Sequence, residues 1–129
     1  MISIRLVQPS EYDEAARFIR RIFPEAAVQI GDWDTVLLAE NEERPLGFAH
    51  IVDDGNRLIL QGIGVDESVR GQGVGTMLME HTLELFEDTD RPIYLKVKVM
   101  NPAIDLYSRH GFFLKKFGIT IVLVKKPNN

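Results

Sequence analysis

The sequence predicts a mixed α/β fold of α+β character, and three observations carry that expectation. Runs with strand-like alternation and runs with helix-like periodicity interleave along the whole length. Strand pairs joined by short turns occur both early and late, which builds antiparallel hairpins as well as crossovers. The third observation is size: 129 residues, 45% hydrophobic and 26% charged, match one ordinary globular domain spanning 1–129.

Residues 2–7 alternate as a strand. Pro9 and Ser10 then open an amphipathic helix with Tyr12, Ala15, Ala16, Ile19 and Phe23 on one face, ended by Pro24. Residues 25–34, with Gly31 and Trp33, lack periodicity and read as irregular or at most a short helix. Residues 35–40 and 45–53 are strand-like and flank a charged turn at 41–44, the pattern of a hairpin. A turn at Asp54-Gly55-Asn56 leads into a strand at 58–65. Residues 73–88 form a helix whose core stripe is expected to be Val74, Met77, Leu78, His81 and Leu85. Ile93, Leu95, Val97 and Val99 alternate with polar neighbours as a strand with one buried face. Asn101 caps a short helix over 102–110, with Pro102 at its first position and Gly111 as its left-handed stop. Two strands, 112–117 and 119–124, hinge at Gly118 and close the chain. The order β, α, β, β, β, α, β, α, β, β does not suit a purely doubly wound sheet.

Composition excludes several classes of function. With no cysteine, disulfide scaffolds, thiolate zinc sites and cysteine nucleophiles are out. A net charge of −4 argues against a nucleic-acid partner and mildly towards a cationic one, such as an amine. The lysines at 96, 98, 115, 116, 125 and 126 read as solvated strand faces. The N-terminal residues lack a basic and apolar leader pattern, and no long uncharged apolar run occurs, so a cytoplasmic protein without membrane contact is expected. His50, His81 and His110 are scattered, so no metal is expected.

The chemistry concentrates in Arg70-Gly71-Gln72-Gly73-Val74-Gly75-Thr76, between a strand and a helix. Backbone N–H groups at such a junction, with the partial positive charge of the helix end, favour a pyrophosphate without a metal. Side chains in place of the three glycines would block close approach or forbid the dihedrals needed. The Walker loop fails because no lysine follows any of these glycines, and the dinucleotide fingerprint fails because Thr76 or Leu78 stands where its last glycine is required.

What remains, Arg70-x-x-Gly73-x-Gly75 preceded by Ile63-Gly64-Val65-Asp66-Glu67, resembles the acyl-CoA-binding signature of the GNAT superfamily of N-acetyltransferases. Downstream, Asn101-Pro102-Ala103-Ile104-Asp105-Leu106-Tyr107-Ser108-Arg109-His110-Gly111-Phe112 resembles that family's second signature, a capped helix after the fifth strand with a tyrosine near the cofactor sulfur. The resemblance spans the chain and implies a GNAT-type fold, a central mixed sheet of about seven strands flanked by three to four helices. One departure stands out: 25–34 is too short and irregular to guarantee the full second helix that the family usually has before its second strand.

The resemblance implies acetyl transfer from acetyl-CoA, as co-substrate, to a primary amine by direct attack. It assigns cofactor contacts to Ile63, Gly64 and Val65, to Arg70, Gly71, Gln72, Gly73, Val74, Gly75 and Thr76, and to Asn101. Ile63 and Val65 would pair with the pantetheine arm through their backbones, and Gly62 and Gly64 would tolerate a bulge or a close ligand approach. Tyr107 would act as general acid to the leaving thiolate. Many relatives carry a glutamate at the start of the fourth strand, where this chain reads Arg57-Leu58-Ile59-Leu60-Gln61, so Glu40, His50 and Gln61 stand as alternative base or water-positioning candidates. His50 shares a strand face with Phe48, and a histidine so placed is more often structural. A non-catalytic acyl-CoA sensor is the alternative function, and a homodimer through the late strands, 112–124, is compatible with the pattern.

Overall fold

Every run with strand alternation forms a strand, and the two strongest helical periodicities form the two longest helices. The computed structural model describes residues 1–98, 104–116 and 120–127. Its strands are β1 (Ser3–Leu6), β2 (Thr35–Glu40), β3 (Pro45–Asp53), β4 (Leu58–Val65), β5 (Ile93–Lys98), β6 (Phe113–Lys116) and β7 (Thr120–Lys125). Its helices are α1 (Tyr12–Ile22), α2 (Val74–Leu85) and α3 (Ile104–Arg109). The strands form one seven-stranded sheet in the order β1-β2-β3-β4-β5-β7-β6. All neighbours are antiparallel except β4 and β5.

Two apolar layers sandwich the sheet, and β2 feeds both, so its alternate residues are buried on opposite faces. Val36 and Leu38 pack with Phe48 against Ala15, Phe18 and Ile19 of α1. Leu37 and Ala39 join Ala49, Ile51, Leu58 and Leu60 against Val74, Leu78 and Met79 of α2 and against Tyr107 of α3.

The parallel contact between β4 and β5 is short: only Leu58 pairs with Ile93 and Ile59 with Tyr94. Beyond it β4 stays paired to β3 as far as Val65, and β5 stays paired to β7 as far as Lys98. Each strand is then held only on its outer side, and the two part. A bulge marks the place, since His50 pairs with Gly62 but Ile51 with Leu60, which leaves Gln61 as the extra residue.

Two expected stripes shift. On α1 the buried residues are Ala15, Phe18 and Ile19, while Phe23 lies past the helix and is exposed. On α2 they are Val74, Leu78, Met79 and Thr82; His81 and Leu85 face outward. Thr82 can be buried because its hydroxyl donates to the Leu78 carbonyl at 2.8 Å, leaving no polar group unsatisfied.

Residues 25–34 form no helix or strand, as expected. Gly111 stops α3 with φ 91°, and Phe112 and Gly111 donate to the Tyr107 and Ser108 carbonyls at 3.2 and 3.3 Å, a Schellman cap. The expected cap and opening of that helix at Asn101 and Pro102, the end of the β5 alternation at Val99 and the hinge at Gly118 lie outside the described residues. Among the described residues no helix is long and apolar enough to cross a membrane.

Candidate active site

The turn after β4 takes its shape from two glycines in the left-handed region. Gly71 has φ 80° and Gly73 φ 82°, where a side chain is strained whatever space surrounds it. Gly73 is the N-cap of α2, and its carbonyl accepts the first intrahelical bond, from Met77 at 3.0 Å. No side chain caps this helix end, and its first turn holds no carboxylate. The leading N–H groups of α2 therefore keep both their donor capacity and their partial positive charge. Gly75 is different: it is helical, and an added Cβ would meet only Val65 and Leu106 at ordinary contact distances of 3.7 and 3.8 Å. Its glycine keeps the surface low rather than permitting a dihedral.

This turn forms one end of a cavity of about 420 Å³. Ile63, Gly64 and Val65 supply its strand wall, Arg70, Gly71 and Gly73 its turn, and Val74, Gly75 and Thr76 its helix end. Of the expected cofactor contacts, Gln72 is exposed and does not line the cavity, and Asn101 lies outside the described residues. Leu106 and Arg109 of α3 and Ile22 and Phe23 at the end of α1 complete the lining. Arg109 stands in the second signature, but the resemblance assigns it no cofactor contact, because its place depends on how α3 packs.

The backbone of β4 offers this cavity a free edge. The Asp66 N–H donates to Leu46 of the β3 side at 2.7 Å, and hydrogen bonding alternates along an antiparallel strand. Residues 62 and 64 thus point to β3, while Ile63 and Val65 point to the gap left by β5. The Val65 carbonyl has only a long 3.4 Å contact, from Arg70 Nε. Gly64 is required by packing, because a Cβ there would lie 2.8 to 2.9 Å from Phe48, Ile22 and Phe23.

Asp66 fixes the approach to the turn. Its carboxylate accepts from the Ser68 N–H at 3.0 Å and the Ser68 hydroxyl at 2.9 Å, and pairs with Arg44 at 3.0 Å. These bonds, the Ser68 backbone donor foremost, pull its pKa down to about 2.

On the α1 face a second cavity, about 510 Å³, is lined by Phe48, His50 and Val52 of β3, by Gln61 and Gly62 at the bulge, and by residues 26–29. Phe23 lines both cavities. His50 Nε2 lies 2.8 Å from the Asp34 carboxylate, and the two side chains are 6% and 9% exposed. Asp34 also accepts from the Gly31 N–H at 3.0 Å, so the irregular segment holds the carboxylate in place. Asp34 was not among the residues singled out in the sequence, since nothing periodic marks it and its partner is 16 positions away.

The structure thus brings His50 and Gln61 to one cavity and leaves Glu40 elsewhere. Glu40 pairs with Arg5 at 2.6 Å, where β2 meets β1. Tyr107 is buried, packs edge-on to Phe112 with ring centres 5.9 Å apart, and does not line the 420 Å³ cavity, although its neighbour Leu106 does. Burial pushes its phenol up to about 12. No group of three or more His, Asp or Glu side chains among the described residues could hold a metal.

A family model described as the acetyltransferase (GNAT) domain matches residues 32–113. No curated protein matches the sequence significantly. Solved structures match the fold at low identity. The ribosomal-protein-S18-alanine N-acetyltransferase from Escherichia coli is 20% identical with TM-score 0.81, covering 98% of this chain and 94% of that one. Arabidopsis thaliana NAA60 in complex with acetyl-CoA is 20% identical with TM-score 0.77 over 100% of both chains. The PaiA N-acetyltransferase from Thermoplasma acidophilum in complex with coenzyme A is 16% identical with TM-score 0.74, covering 98% and 99%. At these identities the structural likeness speaks for the fold.

Proposed function

The chain belongs to the GNAT acetyltransferase family, and from that premise we propose that it acetylates a primary amine with acetyl-CoA, both substrates being bound together. The observation that carries the reading is the uncapped, carboxylate-free start of α2 behind Gly71 and Gly73, opening on a cavity that runs along the free edge of β4. An anionic diphosphate fits that donor set, and Arg70 and Arg109 line the same cavity, the latter paired with Asp105 at 3.1 Å. The Ile63 and Val65 backbones suit an arm that adds to β4 like a strand. When bound, acetyl-CoA supplies the thioester. Two proteins of similar fold hold acetyl-CoA and coenzyme A, which supports the assignment.

The acceptor side has to release a proton, because an alkylammonium with a pKa of about 10.4 is not a nucleophile. His50 is the proposed base. With Nε2–H donated to Asp34, the imidazole keeps a lone pair on Nδ1 to take a proton from the amine, directly or through a water held by Gln61. Asp34 fixes that tautomer and stabilises the imidazolium that forms. The pair supplies the base that the start of β4 lacks, which favours an enzyme over a sensor; Glu40, engaged by Arg5, is left out.

Tyr107 has a narrower role than full proton transfer. A phenol at about 12 lies well above a thiol of about 8.5 and Tyr107 does not line the cavity, so it keeps its own proton, and hydrogen bonding to a leaving thiolate requires its hydroxyl to turn towards the cavity when acetyl-CoA is bound. Holding amine and thioester together supplies much of the advantage, with effective molarities on the order of 10⁵ M or more.

The test is thiol release from acetyl-CoA with a panel of amines, peptides and polyamines. Turnover that depends on the amine supports the reading. Thermal stabilisation by coenzyme A without turnover for any amine would replace it with the sensor.

A further inference from the structure

A third cavity, about 310 Å³, lies on the same sheet face where β4 and β5 part, and it meets the His50 cavity at a shared residue, Gln61. Its floor is apolar, from Ile59 and Val122 among others, and its polar wall is cationic: Arg57, Lys96 and the ring of Tyr94. Arg57 lies over that ring at 5.0 Å, and so does Lys115, whose ammonium also donates to the Tyr94 hydroxyl at 3.1 Å. Asp54 takes only one edge of the guanidinium, through Nε at 3.0 Å, leaving its terminal nitrogens as donors. No carboxylate lines the cavity, and Lys96 and Lys115 have no ion pair among the described residues. Two cations thus lie over the Tyr94 ring and a third, Lys96, lines the same cleft, in a chain whose net charge is −4.

Resting on the acetyltransfer reading above, we propose that this cleft receives a carboxylate of the acceptor, so that the substrate is an amine that also bears an acidic group, not a polyamine. The amine sits at the Gln61 side, beside His50, and the carboxylate extends along Ile59 towards Arg57, Lys96 and Lys115. An Arg fork and two ammonium groups match a carboxylate by charge-assisted hydrogen bonds, whereas a second cationic group would be repelled. The overall acidity of the chain pointed the other way because it averages over a surface on which this cleft is a local exception.

The experiment measures binding apart from turnover. Product-like N-acetylated peptides, one with Asp-Glu and one with Asn-Gln after the first residue, carry a neutral dye and are titrated by fluorescence anisotropy with coenzyme A present. The acidic peptide is expected to bind about tenfold tighter at low salt, with the advantage shrinking as salt is added. Competition by N-acetylglutamate against N-acetylglutamine separates a free amino acid from a peptide as the source. The preference should be lost in Lys96→Glu and reduced in Arg57→Gln, two exposed positions, with coenzyme A affinity retained as the check on folding. Equal or undetectable binding of both peptides, or a preference that survives both substitutions, overturns the proposal. Acid-selective binding without turnover would remove the acetyltransfer reading and keep the cleft, while turnover indifferent to acidity would do the reverse.

Discussion

The two sides of the site are built in different ways. On the proposed cofactor side, the donors are backbone groups, and the residues that shape them, Gly71, Gly73 and Val65, lie within nine positions of one another. On the proposed acceptor side, the groups are side chains brought together from afar: Asp34 from the irregular segment, His50 from β3 and Gln61 from the bulge in β4. A site made of backbone is written as a local run of glycines. A site made of side chains is written as tertiary contacts, and no short run of residues announces it.

That contrast yields graded tests, and the largest effect belongs to the acceptor side. His50→Gln is expected to lower kcat/KM for the amine by about 10² or more, with coenzyme A affinity unchanged, since general-base assistance is worth about 10²–10⁴. Asp34→Asn should produce a smaller loss in kcat with KM for the amine little changed, and the double variant His50→Gln/Asp34→Asn should lose no more than His50→Gln alone, because Asp34 acts through His50. If His50→Gln weakened coenzyme A binding as much as turnover, the separation of the two sides would break down.

On the cofactor side, Gly73→Val places a β-branched residue at φ 82°, where an ordinary side chain already costs about 1–2 kcal/mol, so coenzyme A affinity should fall about tenfold or more. Gly75→Ala meets no clash and no forbidden dihedral, so its effect should be clearly smaller. Equal losses at the two positions would show that dihedral freedom is not what the turn requires.

Gly64→Ala tests the shared wall. Its Cβ would fall 2.8 Å from Phe48 and 2.9 Å from Ile22 and Phe23, and overpacking of this kind destabilises by about 1–3 kcal/mol, read as a lowered Tm. Because Phe23 lines both cavities, both affinities should suffer, unlike in the two preceding variants.

The smallest effect is an acid dependence. Asp66 has a folded pKa of about 2, below its ordinary value of about 3.9, so its contribution to stability is present above pH 4 and is lost as pH falls towards 2. Asp66→Asn should flatten the acid limb of the denaturation profile over that window while leaving its shape above pH 5 unchanged.

Much of the scaffold could be read directly from residue patterns. The bounds of β2, β3 and β4 follow the strand-like runs and the turns at Asn41 and Gly55, because an apolar run stopped by turn residues leaves a sharp local mark. The stop at Gly111 was equally legible, since only a left-handed position explains a glycine there. The core face of α2 was not. Thr82 counts as polar in any periodicity, and only the bond from its hydroxyl to the Leu78 carbonyl makes it a core residue, while Leu85 looks apolar and is 51% exposed. His50 was ambiguous between structure and chemistry for the same reason: its meaning depends on Asp34, which comes from a stretch without pattern.

The account turns on whether the start of α2 holds the diphosphate of coenzyme A. Titration calorimetry of coenzyme A into the wild-type protein and into Gly73→Val decides it. We expect saturable one-site binding that weakens about tenfold or more in the variant, with the helical circular dichroism signal retained. No measurable heat with the wild type, or identical affinity in both proteins, would contradict it.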